Sequence, residues 1–307
     1  MKLAAIDIGT NSMRLLICDY INGQIINRKK FVNTTRIGKG VDENGFIREE
    51  VLKINLDALK EYYEISKKEG CKEIYCIGTS ALRDSKNGDD FVKRAKLECN
   101  VNVEIISGNE ESSLGFLGVL KGADADNNDI LVIDIGGGST EFVFGNINEI
   151  KFAKSENIGA LRMTEKFLTT DIVDNYEFDM MSKFIEDDIN YTIEYLKQNK
   201  ISKIVGIGGT ITSLSAMNQE LEVYSMEKIH NSVVSIDDIK KILQNLKNMT
   251  LNDKKSLKGL QSKRADIITA GVEILHIIMK KLEQYEITVS EYDNLEGLIC
   301  QKVKMMS

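Results

Sequence analysis

Short apolar runs alternate along this chain with longer stretches whose apolar positions recur at helical spacing, and the whole pattern occurs twice. Lys2–Ile8 reads as a first strand, followed by a Gly/Ser turn, a second strand, an Asn22-Gly23 turn and a third strand. An amphipathic helix is then expected roughly from Arg48 to Glu69, stopped by Gly70 in the position of a left-handed cap. The strands Glu73–Thr79 and Val103–Ser107 follow, the second leading into a helix opened by Glu110, Glu111, Ser112 and Ser113.

The same succession restarts near Leu131. Asp7 corresponds to Asp134, Gly9 to Gly136, Ser12 to Ser139 and Arg14 to Glu141, at a constant offset of 127 residues. Its helix is expected from Glu177 to Lys197 and its later strands at Lys203–Thr210 and Glu286–Ser290, with extra helices between Ile236 and Leu282. The pattern therefore predicts an α/β protein of two duplicated domains, each of order βββαβαβα. The first is expected over residues 1–123, completed by the C-terminal helix 291–307, and the second over 124–290. The acidic, Gly/Asn-containing stretch Gly122–Asn128 reads as a hinge between them, with a cleft where the two Gly/Ser turns face one another.

Composition narrows the function. With 42% hydrophobic and 28% charged residues, the 307-residue chain reads as a soluble globular protein large enough for two cores. No apolar run approaches the roughly 18 residues of a membrane span. The formal charge of −7 argues against a general nucleic-acid or membrane-surface binder, while leaving room for an anionic substrate in a locally cationic site. The five scattered cysteines read as reduced thiols of a cytoplasmic protein. With only two histidines, a Ser–His–Asp triad or a multi-histidine metal site is not expected. His276 falls within an apolar helix as a packed residue, and His230 falls in a loop without an assigned role.

The two turns carry the candidate chemistry. Gly9, Thr10, Asn11 and Ser12 form one candidate phosphate loop, and Gly136, Gly137, Gly138, Ser139 and Thr140 form the other. Glycine lets the backbone approach an anion, and successive amides and hydroxyls can donate to its oxygens. Asp7 and Asp134 end apolar strands where they could ligate hydrated Mg²⁺, with Glu141 within reach of the same ion; each Asp could equally cap its own loop. Arg83, beyond a strand end, could clamp phosphate or be a solvated loop residue. Spacing alone assigns Glu110 and Glu111 to complementing a helix dipole.

The segments IDIGTNSMRLLI, GTSALRDS, EIISGNEESSLGFLGV, VIDIGGGSTEFVFG, IVGIGGTITSLSAM and RADIITAGVEIL together resemble the exopolyphosphatase/guanosine pentaphosphate phosphohydrolase family, in that family's order. The family belongs to the superfamily of actin, sugar kinases and heat-shock chaperone ATPases. The resemblance implies two actin-like (ribonuclease H-like) domains and release of terminal phosphate from polyphosphate or pppGpp. It implies Glu111 as the carboxylate that activates water, and Asp134 and Glu141 as acids associated with Mg²⁺, or Mn²⁺ in its place. Arg83 and both loops would match its phosphate contacts, and Arg14, beside the first loop, is a further candidate. A homodimer is compatible with it; nucleic-acid and membrane partners are not expected. Where the family commonly has Gly-Leu-Arg-Glu-Gly, this chain has Asp293-Asn294-Leu295-Glu296-Gly297, so Leu295 replaces an arginine and Arg264 becomes the candidate compensating cation. Two other readings remain at this stage: an ATP-dependent kinase or ATPase, suggested by Gly206–Leu214 and Ala270–Leu275, and a non-catalytic sensor of the same polyanions.

Overall fold

The computed structural model describes residues 1–122 and 127–305. The chain divides into two compact units, Met1–Lys121 with Asp293–Ser307, and Gly122–Tyr292. Residues 123–126 of the stretch read as a hinge, and with them the boundary expected between 123 and 124, lie outside the described residues.

The first unit is built on strands β1 (Lys2–Ile8), β2 (Met13–Ile21), β3 (Gln24–Asn33), β4 (Glu73–Gly78) and β5 (Glu104–Ile105) in the order β3-β2-β1-β4-β5. The first three strands pair antiparallel, with Ile21 opposite Gln24 across the predicted Asn22-Gly23 turn, whereas β4 and β5 join in parallel. Side chains alternate across a strand, so β1 feeds two cores. Ala4, Ile6 and Ile8 pack with Leu52, Leu56 and Leu59 of the Glu49–Lys68 helix and with Phe91 of the Gly88–Cys99 helix. Leu3 and Ala5 pack on the opposite face with Leu114 of the Gly108–Gly122 helix and with Leu295, Leu298 and Ile299 of the Asn294–Lys304 helix. Asp7 continues the second series.

The second unit repeats this plan with β6 (Ile130–Ile135), β7 (Thr140–Gly145), β8 (Ile150–Glu156), β9 (Lys203–Ile207), β10 (Val233–Ser235) and β11 (Glu286–Val289) in the order β10-β11-β9-β6-β7-β8. Read from β8 to β11, the order and strand directions match those from β3 to β5. The antiparallel edge strand β10 is an addition that the pattern did not predict.

Three further expectations are corrected. The helix expected over Glu177–Lys197 is two, Asn175–Asp188 and Asn190–Lys197, because Ile189 has ψ −1°. Phe178, Met181, Ile185, Ile189, Ile193 and Leu196 all face one core, so the apolar period runs through the break and hides it. The strand read to Thr210 stops at Ile207, because Gly208 takes φ +84° and opens the Gly208–Asn218 helix. The Val103–Ser107 strand shrinks to Glu104–Ile105, since Ser107 caps the helix that follows.

All five cysteines are buried free thiols, and burial pushes the Cys18 thiol up to about 12, far from a reactive thiolate. No helix among the described residues is long and apolar enough to cross a membrane.

Candidate active site

The two turns close in the same way. Gly9 N–H donates to the Ser12 carbonyl at 3.1 Å, and Gly136 N–H donates to the Ser139 carbonyl at 3.0 Å. In each unit the turn carbonyls are held from behind by the segment that follows the third strand. In the first, Gly38 N–H bonds Thr10 O and Arg36 N–H bonds Asn11 O, both at 3.0 Å. In the second, Ala160 N–H bonds Gly136 O, Leu161 and Arg162 N–H both bond Gly137 O, and Arg162 Nε bonds Gly138 O at 2.7 Å. A Cβ on Gly159 would lie 2.5 Å from the Gly137 carbonyl group, so only glycine permits this approach. A trans peptide points its N–H opposite its C=O. With the carbonyls turned back, successive loop amides face the other way, the arrangement that cradles an anion.

The hydroxyls of these turns differ in employment. Thr10 Oγ1 and Ser80 Oγ lie 2.6 Å apart, which ties the first turn to the start of the Ser80–Asp84 helix. Asn11 Nδ2 donates to Ser12 Oγ at 3.1 Å, and Thr140 Oγ1 donates to Ile158 O at 2.7 Å.

Asp7 and Asp134 occupy equivalent strand positions with opposite surroundings. Asp7 lies directly across from Arg14, whose Nε and Nη2 both reach Asp7 Oδ2, the former at 3.1 Å. Asp7 is 3% exposed and its Oδ1 is buried without a hydrogen bond. Burial pushes the Asp7 carboxyl up, and Arg14 offsets only part of the shift. Arg14 also binds Asp293 Oδ2 at 2.9 Å, which Lys30 meets at 3.1 Å. Burial raises Asp293 as well, but Arg14 and Lys30 outweigh it and hold its carboxyl below the usual range.

Asp134 lies directly across from Glu141, with exposures of 8% and 2%. Like charges opposite one another on a sheet repel, and burial strengthens the repulsion. Ser155 Oγ donates to Glu141 Oε1 at 2.7 Å. Asp134 Oδ1 sits where a Cβ on Gly208 would be, and the Arg264 guanidinium covers Gly209, so the start of the Gly208–Asn218 helix gathers an acid and a cation. Asp134 and Glu141 bring two buried carboxylates together, a donor set that fits a hard divalent cation. Among the described residues no three His, Cys, Asp or Glu side chains are placed to share an ion. Asp134 and Glu141 are the side chains that would hold Mg²⁺.

Glu110 and Glu111 separate cleanly. Glu110 is exposed and accepts from the Ser107 N–H and hydroxyl, each at 2.8 Å, while its own N–H bonds Ser107 Oγ at 3.2 Å. This is a capping box, and the Ser107 backbone bond, then the hydroxyl bond, holds the Glu110 carboxyl below its ordinary range. Glu111 is 7% exposed and turns inward to Arg83, whose Nη1 lies 3.3 Å from Glu111 Oε2 and 2.9 Å from Ile106 O.

Within the first unit the structure thus pairs Glu111 with Arg83 and Asp7 with Arg14. Within the second it groups Asp134, Glu141, Arg264 and the triple-glycine turn. Sequence pattern alone assigns no role to Ser80, Arg162, Lys30 or Asp293. Ser80 and the Ser107-x-x-Glu110 pattern lie within contiguous motifs, whereas Lys30 and Asp293 meet across 263 residues and carry no local signal. His276 binds Glu273 on its own helix at 3.2 Å, as a packed residue does. His230 Nδ1 accepts from Glu291 N–H at 3.3 Å and its Nε2 meets Gly122 O at 3.2 Å, an architectural role. Leu295, in place of the family's arginine, is buried in the core.

Residues 19–306 match the model of the Ppx/GppA phosphatase family. The chain is 38% identical over 313 residues to a bifunctional 3-dehydroquinate synthase/phosphatase of Fusobacterium nucleatum subsp. nucleatum, covering 98% of this chain but 46%, about half, of that protein. It is 31% identical to exopolyphosphatase 2 of Mycobacterium tuberculosis, with 97% of each chain covered. The crystal structure of an exopolyphosphatase from Cytophaga hutchinsonii superposes with a TM-score of 0.91 at 29% identity, over 99% of this chain and 98% of that one. The two mixed sheets, repeated in strand order, are the actin-like fold of these proteins, and this chain belongs to the Ppx/GppA phosphatase family.

Proposed function

We propose that the protein releases terminal phosphate from inorganic polyphosphate by Mg²⁺-assisted attack of water, with guanosine pentaphosphate as a second substrate. The observation that carries this reading is Glu111: a buried carboxylate beside Arg83, in a helical turn whose capping is already supplied by Glu110. A kinase or a passive sensor gives Glu111 no task. The exopolyphosphatase relatives support polyphosphate as the substrate class.

Phosphoryl transfer requires positioning and charge neutralisation above all. The outward amides of a turn serve phosphate as donors, and within the first unit the Arg83 guanidinium adds a charged one. Glu111 orients a water in line with the scissile P–O bond and takes its proton as the new P–O bond forms and the shortened chain leaves. Asp134 and Glu141 would hold Mg²⁺, which would supply charge neutralisation to a bound polyanion.

Glu111→Gln should preserve the fold and polyphosphate binding while lowering kcat by about 100-fold or more, as expected for loss of a general base. Glu110→Gln should leave kcat within about threefold. Equal losses from the two substitutions would mean that helix-end electrostatics, and not base catalysis, explain the acidic turn.

A further inference from the structure

Arg162 stands outside every motif read from the sequence, yet two of its nitrogens bind the triple-glycine turn: N–H to Gly137 O at 3.0 Å and Nε to Gly138 O at 2.7 Å. The duplication supplies an internal comparison. The equivalent of Gly138 in the first unit is Asn11, whose carbonyl is also bonded from behind, there by the backbone N–H of Arg36. The same carbonyl position is thus held in both copies, by a backbone donor in one and a side-chain donor in the other. Because the peptide unit is planar and trans, holding Gly138 O fixes the direction of the Ser139 N–H, as holding Asn11 O fixes that of Ser12. Glycine offers no side chain to restrain this peptide, and its φ and ψ are the least restricted of any residue.

We propose that Arg162 is a positioning residue that aims the Ser139 amide at substrate phosphate while its own guanidinium stays on the loop carbonyl. The inference rests on the phosphohydrolase reading above. A misdirected donor in such a cradle weakens the transition state more than the ground state, so the effect belongs mainly in kcat.

The test compares Arg162→Met and Arg162→Lys with the unaltered protein in two measurements. One is phosphate release from polyphosphate with Mg²⁺, and the other is the response of the Gly137 and Ser139 amide resonances to inorganic tripolyphosphate. Arg162→Met should melt within a few degrees of the parent and lower kcat by about 10-fold or more, with a smaller change in KM. The Ser139 resonance should lose its response while Gly137 keeps its own. Arg162→Lys should behave like Arg162→Met, because a lysine ammonium lies one bond beyond the Nε position and lacks the planar fork. If Arg162→Met does not fold, Arg162→Lys carries the same comparison. Restoration of kcat by lysine would show that charge suffices and would overturn the positioning role. An unchanged Ser139 response in Arg162→Met would do the same. An unaltered protein that releases no phosphate and shows no loop response refutes the underlying reading itself. Activity in the parent that Arg162→Met retains refutes only the role of Arg162.

Discussion

Asp7 and Asp134 are the same residue at the same place in two copies of one motif, and the side chain facing each across the hairpin decides what it can do. Arg14 neutralises Asp7, and the pair continues through Asp293 to Lys30, which also reaches Glu296 at 3.1 Å. Asp293→Asn would leave two half-buried cations, Arg14 and Lys30, short of a carboxylate and should cost about 3 kcal/mol in urea unfolding at neutral pH. Because the folded carboxyl lies below its unfolded value of 3.8, its contribution is complete above that value. It is lost as the pH falls through the folded one, so the gap between mutant and parent should narrow below about pH 4. A gap that does not vary between pH 3 and 7 would remove the ion pairs from the stability of this unit. Glu141 leaves Asp134 in a like-charged pair, so Asp134→Asn should raise the Mg²⁺ or Mn²⁺ concentration at half-maximal activity by about 10-fold and weaken Mn²⁺ binding seen by calorimetry. Unchanged metal dependence would place the ion elsewhere. The contrast between Arg14 and Glu141 is legible from the 127-residue offset. The attachment of Arg14 to Asp293 is not, because it joins residues 279 apart.

At the scale of elements, the Gly108–Gly122 helix shows how two adjacent glutamates divide their work. Ser107 and Glu110 satisfy two of the first turn's orphan donors between them, while Glu111 faces inward. Ser107→Ala should cost roughly 1 kcal/mol of stability, as loss of an N-cap does, and leave kcat nearly unchanged. A large loss of kcat with full stability would instead give Ser107 a place in the chemistry. Glu110 is held below its ordinary range, so its support of the helix is present above that range and fades as the pH falls through the folded value. Strand and helix existence followed from apolar period almost throughout. The misses have separate causes: backbone geometry that leaves the period intact at Ile189, a glycine that changes element within an apolar run at Gly208, and a helix cap at Ser107 that ends a strand early.

Each unit of the whole molecule carries its own sheet, its own apolar core and its own back-bonded turn. The family resemblance was legible because chemistry is concentrated in contiguous motifs. Arg162 was not, because it acts on a turn that precedes it by a strand pair. If both turns serve one polyanion, polyphosphate with Mg²⁺ should slow amide exchange at Gly9–Ser12 as well as at Gly136–Thr140, and protection of one turn alone would assign binding to a single unit. The most direct test of the central claim is phosphate release from polyphosphate, guanosine pentaphosphate and ATP side by side, with Mg²⁺ and with excess chelator. Fastest release from polyphosphate, slower release from guanosine pentaphosphate, little from ATP and none in chelator is the predicted result. Preferential turnover of ATP, or undiminished release from polyphosphate in chelator, would contradict it.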